Sequence, residues 1–226
     1  MFIGHYSVAY AAKAVAPKVP LAAYFLAVQA LDMLFSIFVL SGIEHLEIVH
    51  KYTSYNPYRL YDMPITHSLV GSLGWAVAVG IVAAILRLPR RESVWLGLAV
   101  FSHFILDLLV HTPDLSIAGS GTALLGLGLW NNVPLVIVLE LLVLLGGWML
   151  FSRSKRSDAT FPKRRNRIFV GILALVTIVT PFMPDPASPT AFAVQALVAY
   201  CVLAWASAWS VGESIFKTRS VQKETL

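Results

Sequence analysis

The chain contains little charge and almost no cysteine. Of its 226 residues, 13% are charged and 58% are hydrophobic, whereas an ordinary soluble domain is roughly a quarter charged and half apolar. The single cysteine, Cys201, excludes an internal disulfide and a cysteine-rich metal site. Several apolar runs of about 20 residues follow one another. The composition therefore predicts an all-α fold, that of a polytopic helical membrane protein.

Motifs of several common enzyme classes are also missing. No G-x-S-x-G, C-x-x-C, phosphate-loop or dinucleotide-binding pattern occurs in a suitable context. The Ser-Gly-His nucleophile set of one group of lipid phosphatases is absent as well. These classes are set aside.

Six apolar stretches are interpreted as transmembrane helices, and a shorter helix is expected in front of them. The predicted spans cover about 21–42, 66–86, 93–110, 133–151, 168–183 and 191–211. Residues 1–16 are too few to cross a bilayer, so they predict a re-entrant or interfacial helix. The expected organisation is a membrane core with the functional site (1–151), a basic cytoplasmic loop (152–167), and two accessory transmembrane helices with a C-terminal tail (168–226).

Basic residues are concentrated on one side of this predicted topology. Of the 17 Lys and Arg residues, all but Lys51 and Arg59 fall in the N-terminal segment, in 87–92, in 152–167 or in the tail. The positive-inside rule therefore predicts a multi-pass membrane protein with both termini in the cytoplasm. These loops also account for the net charge of +5. The expected partner is therefore the lipid bilayer and not nucleic acid.

The candidate chemistry centres on residues 101–111. His103, Asp107 and His111 are spaced four residues apart, so they share one face of a helix. A rise of about 1.5 Å per residue places Asp32 and His5 near the same depth as His103 and Asp107. The spacing predicts one site near the middle of the membrane.

A second argument comes from uncompensated charge. Asp32, Asp107 and Glu140 lie in predicted spans that contain no Lys or Arg. Acids in hydrocarbon require a cation, a proton or water, and carboxylates with imidazoles are good ligands for a divalent metal. His67, at the outer end of the second span, extends the set towards the outer face.

Each of these residues alone also has a structural interpretation. His5, His67 and His111 can each be interpreted as a residue at the membrane interface. The spacing of His103 and Asp107 also suits an intrahelical hydrogen bond. Weaker candidates are interpreted as structural: Glu44, Glu47 and His50 as a solvated polar face, and Glu140 as a packing or lumen residue. The stretch Trp130-Asn131-Asn132 is expected either to cap the fourth span or to line the pocket.

Four pieces of the sequence resemble one known family. They are Gly4-His5, Asp32, Pro64-Ile65-Thr66-His67-Ser68-Leu69, and Ser102-His103 followed by Asp107-Leu108. In order and spacing they are similar to the YdjM-like family of predicted bacterial inner-membrane metal-dependent hydrolases. The resemblance covers roughly 1–150 and implies a metal site built from these His and Asp residues and a hydrolytic reaction.

The chain departs from that family at two places. The first span has Leu31-Asp32-Met33-Leu34 where family members often have Asp-Ile-Asp, so a second acid is missing. Before Thr66 the chain has Tyr61-Asp62-Met63-Pro64 where members often have His-Arg-Gly-Pro. Asp62 is a candidate substitute as a ligand or base.

The first functional hypothesis is a metal-dependent hydrolase whose pocket opens to the outer face. One or two divalent ions, Zn²⁺ in preference to Mn²⁺ or Fe²⁺, would be held by His5, Asp32, His67, His103 and Asp107. Asp107 or Asp62 would act as general base, and His111 as a further ligand or general acid. The predicted position of the site near the middle of the membrane suits a small or amphipathic substrate such as a lipid-like ester or phosphoester.

Two other hypotheses remain open. A transporter or permease would use the His/Asp residues for ion or proton coupling, and a structural or partner-binding membrane protein would carry out no chemistry with them. The one-sided placement of His67, His111 and Asp62 favours the hydrolase. The sequence also shows no paired halves with broken helices, which are typical of transporters.

Overall fold

Helices dominate the computed structural model, which describes residues 1–155 and 158–213. That part of the chain forms eight α-helices: α1 (Tyr6–Val15), α2 (Leu21–Val28), α3 (Ala30–Leu40), α4 (Leu69–Ile85), α5 (Arg90–Val110), α6 (Val133–Ser154), α7 (Lys163–Val179) and α8 (Pro189–Val211). Short 3₁₀ turns form at Ile3–His5, Leu129–Asn131 and Thr180–Phe182. The prediction of a mostly helical chain is confirmed.

Four helical segments are long and apolar enough to cross a membrane, namely α5, α6, α8 and α7 with its 3₁₀ continuation (Lys163–Phe182). A fifth is obtained if α2 and α3 are counted as one span, although they are bent by 56°. The apolar helix α4 has only 17 residues. The chain therefore has the character of a helical membrane protein with four to five candidate spans by length and composition.

The break between α2 and α3 falls at Gln29, three residues before Asp32. Gln29 is fully buried, and its side-chain amide donates a hydrogen bond to the carbonyl of Phe2 (3.1 Å). Its backbone N–H binds the carbonyl of Leu26 in a tight turn. Because a helix end leaves carbonyl groups without helical partners, the carbonyl of Val28 is available to another side chain. The predicted first span is thus discontinuous at the level of the site.

The N-terminal helix α1 lies inside the bundle and packs against α2, α5 and α6. Tyr6 and Tyr10 are fully buried. The contact with α6 is so close that a Cβ added at Gly147 would lie 2.1 Å from the carbonyl oxygen of Ser7. Of the two alternatives for residues 1–16, this placement fits a re-entrant helix better than one lying on an outer surface.

Two small hairpins interrupt the helical pattern. Antiparallel strands β1 (His45–Ile48) and β2 (Tyr58–Asp62) lie in the predicted loop between the first two spans. Strands β3 (Leu115–Ser116) and β4 (Leu124–Leu125) pair within the Gly-rich segment that follows α5. These hairpins depend on short local pairings that have no long alternating pattern, which explains why the sequence predicted only loops.

The loop between α6 and α7 is shorter than the predicted basic loop 152–167. Helix α6 continues to Ser154, and α7 begins at Lys163. Most of the predicted C-terminal tail, together with Arg156 of the basic run, lies outside the described residues.

The buried Lys13 of α1 pairs with Glu213 (2.5 Å) and donates hydrogen bonds to the carbonyls of Pro17 and Val19.

Candidate metal centre

The structure brings together every predicted metal ligand, although these residues come from distant parts of the chain. His5 ends the first 3₁₀ turn, Asp32 lies in the first turn of α3, and His67 precedes α4. His103 and Asp107 face the same point from α5, and His111 immediately follows that helix. We call these six residues the His/Asp cluster.

The ligand atoms form two groups that share His103: those of Asp32, His67 and His103 lie within 4.8 Å of one another, and so do those of His5, His103 and Asp107. The Nε2 atom of His103 lies 3.0 Å from Oδ2 of Asp107 and 3.4 Å from Oδ1 of Asp32. The Nε2 atom of His67 lies 3.2 Å from the same Asp32 oxygen and 3.8 Å from the same Asp107 oxygen. Zinc bonds of about 2.0–2.2 Å in a tetrahedron separate neighbouring ligand atoms by about 3.3–3.6 Å. These four distances bracket that value.

The cluster extends on both sides of the Asp107 carboxylate. His111 Nε2 lies 3.4 Å from Oδ2, on the side of His67 and His103. His5 Nε2 lies 3.2 Å from Oδ1, and the His5 ring stacks on the His103 ring with centroids 3.9 Å apart. The amino group of Met1 also contacts Oδ1. Asp107 therefore approaches all four histidines of the cluster.

Hydrogen bonds at Nδ1 orient three of the histidines. His103 Nδ1 donates to the carbonyl of Val28 (2.7 Å), the group released by the helix break. His111 Nδ1 donates to Asp114 (2.8 Å), whose other carboxylate oxygen accepts a hydrogen bond from the hydroxyl of Thr112. With Nδ1 acting as donor, a neutral imidazole presents the Nε2 lone pair to the cluster.

His67 is oriented by a longer relay. Its Nδ1 lies 2.8 Å from Thr66 Oγ1, and that hydroxyl donates to Glu44 (2.7 Å). Glu44 also accepts hydrogen bonds from the backbone N–H groups of Ile65 and Thr66. Partners of this kind are characteristic of metal-binding histidines, because they fix the tautomer and the ring orientation.

Burial makes this arrangement costly without a cation. His5 and His103 are fully buried, and Asp107 is 1% exposed. Within the described residues, Nε2 of both histidines has no hydrogen-bond partner, despite lying 3.0–3.2 Å from carboxylate oxygens. Lone pairs that face one another at this distance in a buried site repel unless a cation or proton lies between them. The donor set therefore fits a divalent metal.

Asp62 does not join the cluster. It lies on β2, and its Oδ2 pairs with His45 Nδ1 at 2.7 Å near the protein surface. The predicted role as a ligand or base thus lacks geometric support, because the β1–β2 pairing turns Asp62 towards His45. His111, by contrast, lies in the cluster, 3.4 Å from Asp107.

The interpretation of Glu44 as part of a solvated face was wrong. Glu44 is fully buried, whereas the side chains of Glu47 and His50 are about half and three-quarters exposed. The turn at Thr66 encloses Glu44, and no sequence pattern indicated that turn.

Asp114 follows His111 by three residues, and that proximity was a signal that could have identified Asp114 as the partner of His111.

Glu140 anchors the N-terminal turn. Its two carboxylate oxygens accept hydrogen bonds from the backbone N–H groups of Phe2 (3.2 Å) and Gly4 (3.0 Å). Glu140 is fully buried on α6. It therefore holds the segment that carries His5, consistent with a packing role and not with direct ligation.

A cavity of about 780 Å³ leads from the cluster towards the hairpin end of the bundle. Its walls include Asp32, His67, Asp107 and His111 from the cluster, the loop 50–58, and parts of α7 and α8. Tyr200 of α8 donates a hydrogen bond to Oδ2 of Asp32 (2.9 Å). The last two helices, expected to be accessory, thus contribute to the surroundings of the cluster.

The stretch Trp130-Asn131-Asn132 has both of its expected roles. Asn132 accepts a hydrogen bond from the N–H of Leu135 and caps α6. Trp130 lines the cavity, and its ring lies 4.1 Å from the His111 ring.

Comparisons of the chain with protein-family models, with curated proteins and with solved structures found no match.

Proposed function

We propose that this protein is an integral-membrane metal-dependent hydrolase. The observation that carries the proposal is the convergence of His67, His103, Asp32 and Asp107, with four His–Asp distances of 3.0–3.8 Å between ligand atoms. Two imidazole nitrogens and two carboxylate oxygens suit Zn²⁺, and also Mn²⁺ or Fe²⁺. The motif pieces behind the resemblance to the YdjM-like family supply these four ligands, and membership of that family is part of the proposal.

One or two ions would be held. The first would bind His67, His103, Asp32 and Oδ2 of Asp107. In a two-metal state, His5 and Asp107 would contribute to holding the second ion, because His5 faces the other oxygen of Asp107. The missing second acid in the first span makes one tightly held ion the expected minimum.

A bound metal of this kind polarises the scissile group and makes its water a nucleophile near neutral pH. The residues of the chain supply the orientation. Val28, Glu44 and Asp114 hold the imidazole rings, directly or through a hydroxyl, with Nε2 towards the reacting centre. His111, supported by Asp114, is the group best placed to act as a further ligand or to give a proton to the leaving group.

In the proposed topology, α2 with α3, α4, α5, α6, α7 and α8 make six crossings of the inner membrane. Arg87 and Arg90 lie near the turn between α4 and α5, and Lys163 lies at the start of α7. This charge supports an assignment of the C-terminus to the cytoplasm, whereas Met1 lies at the His/Asp cluster, where its amino group contacts Asp107. The cavity beside β1 and β2 would then open towards the outer face, where it could admit an amphipathic ester or phosphoester.

The helix break at Gln29 supports a second candidate. Discontinuous helices at the level of a binding site are typical of secondary transporters, and α2 and α3 are bent by 56° there. In a permease the same cluster would bind a coupling ion or proton. Substrate flux into sealed vesicles without hydrolysis would favour this candidate.

The first test of the proposal is the metal content of the purified full-length chain. Wild type is expected to retain at least one transition metal ion per chain, while His103→Ala and Asp32→Asn lose it. His45→Ala is the matched control, because it removes a surface histidine that also pairs with an aspartate. Wild-type protein without metal after purification and reconstitution with Zn²⁺, Mn²⁺ or Fe²⁺ would reject the proposal.

A further inference from the structure

We propose that the cavity binds the phosphate ester of a lipid-like amphiphile, with Tyr55 and Trp130 as hydrogen-bond donors to the phosphate beside the metal. The inference rests on the proposed function and specifies its substrate class. It is carried by unpaired donors, by a basic residue at the cavity mouth and by an apolar wall formed by the last two helices.

Two residues that line the cavity carry buried donor atoms without an acceptor. Tyr55 and Trp130 are each 6% exposed and line the cavity. Within the described residues, neither Tyr55 Oη nor Trp130 Nε1 has a hydrogen-bond partner. Buried polar groups are nearly always satisfied in folded proteins, by protein atoms, water or ligand. The two residues belong to one buried cluster, and contact with His111 places Trp130 next to the metal ligands.

The chemistry of these donors selects an anionic ligand rich in acceptors. An indole N–H can only donate, so an ammonium group would leave Trp130 unpaired. A phosphate ester offers several acceptor oxygens, which can serve the metal, Trp130 and Tyr55 together. A neutral carboxylic ester offers one strong acceptor, its carbonyl oxygen, and the metal would compete for it.

The mouth of the cavity carries charge of the complementary sign. Lys51 is the only Lys or Arg among the described cavity-lining residues, and it has no ion pair among the described residues. Asp185 is the acid at the same mouth, and it pairs with His50 at 2.7 Å. Lys51 is therefore placed to attract an anionic headgroup.

The opposite wall suits a hydrocarbon chain. It is built from α7, the 3₁₀ turn after it and α8, and includes Leu175, Val179, Phe182, Phe192, Ala196 and Ala199. The two alanines leave room along α8, and Tyr200 connects the same helix to Asp32. The volume of about 780 Å³ lies in the range of pockets that enclose a small organic ligand.

The test compares three probes that bind the detergent-purified full chain. They are a 16-carbon lysophosphatidate, the monoacylglycerol with the same acyl chain but no phosphate, and glycerol 3-phosphate without the chain. Binding is measured by equilibrium titration. Wild type is expected to bind lysophosphatidate at least about 10-fold more tightly than either other probe.

Variants assign the effect to individual groups. Tyr55→Phe and Trp130→Phe are each expected to weaken lysophosphatidate binding by about 10-fold to 100-fold, and to change monoacylglycerol binding by less than about twofold. The matched controls are Tyr52→Phe, on the same loop but outside the cavity, and Trp205→Phe, exposed on α8. Ala199→Phe should exclude lysophosphatidate and leave glycerol 3-phosphate binding unchanged.

Three results would overturn the inference: equal affinity for monoacylglycerol and lysophosphatidate, equal affinity for glycerol 3-phosphate and lysophosphatidate, or unchanged lysophosphatidate binding in both Tyr55→Phe and Trp130→Phe. Metal content measured on the same samples separates this inference from the proposed function. Absence of metal would reject the hydrolase, whereas full metal content without phosphate selectivity would reject only the substrate class.

Discussion

The chain contains two His–Asp arrangements that differ in their surroundings. His45 and Asp62 pair at 2.7 Å on a hairpin, with side chains 47% and 35% exposed. His103 and Asp107 lie 3.0 Å apart, with side chains 0% and 2% exposed. In the surface pair, the imidazole and the carboxylate bind each other directly and need no further partner. In the buried pair, Nδ1 of His103 is already committed to Val28, so that Nε2 and the carboxylate both face an interior point.

This difference shows that proximity of imidazole and carboxylate does not by itself identify a metal site. In the buried arrangement, ligand side chains converge from several structural elements and water is excluded. The second ring nitrogen of each oriented histidine also has a hydrogen-bond partner that fixes the ring. The surface pair has none of these, and exposed ion pairs contribute little to stability. Replacements in the two arrangements should therefore have very different consequences.

The largest effect is expected for Asp107→Asn. This carboxylate is within 3.8 Å of four histidine nitrogens, so its loss removes the shared anionic ligand. Metal affinity should fall by more than about 100-fold, beyond the range for indirect partners. The measurement is metal content after equilibrium dialysis. Asp62→Asn is the control, and equal metal retention in both variants would contradict the assignment.

The next largest effect is expected for Glu44→Gln. The relay from Glu44 through Thr66 fixes the ring of His67. Weakening this relay should reduce metal affinity by about 10-fold to 100-fold while leaving the ligand set intact. A competition assay with a calibrated chelator measures the change. Glu47→Gln, an exposed neighbour on β1, should keep wild-type affinity, and a comparable loss there would indicate a general effect on folding.

A smaller effect is expected for Tyr200→Phe. The substitution removes one hydrogen bond to Asp32 from α8, and it leaves every proposed ligand in place. The same chelator competition should show a loss of about threefold to 10-fold in metal affinity. An unchanged affinity would show that α8 has no influence on the cluster through this contact.

The smallest effect is expected for the surface pair. His45→Ala should change the free energy of unfolding by no more than about 0.5–1 kcal/mol, because the pair is exposed and screened. Metal content should stay at the wild-type level. Thermal unfolding in detergent, with parallel metal analysis, checks both. Loss of metal in this variant would place an ion on the hairpin.

Much of the helical framework could be predicted because long apolar runs have few alternatives in a membrane protein. The spacing of His103 and Asp107 on one helical face predicted their shared direction, and depth counting predicted that Asp32 and His5 reach the same level. Helix rotation cannot be obtained by counting, yet the structure orients both residues into the cluster.

Features that depend on tertiary contacts could not be predicted in the same way. The break at Gln29 contains no Pro or Gly, and it is accompanied by a hydrogen bond from Gln29 to Phe2, which is 27 residues away. The burial of Glu44 depends on a turn 22 residues later in the chain. Tyr200 contacts Asp32 across 168 residues, so no local pattern connects the last helix to the cluster.

The central claim is that one cation lies between His67, His103, Asp32 and Asp107. The most direct measurement is an anomalous difference map, recorded at the absorption edge of the metal found in the purified protein. We predict a peak about 2.0–2.2 Å from the Nε2 atoms of both histidines and from an oxygen of each aspartate. A map with no peak there, or with its strongest peak at the His45–Asp62 pair, would contradict the account.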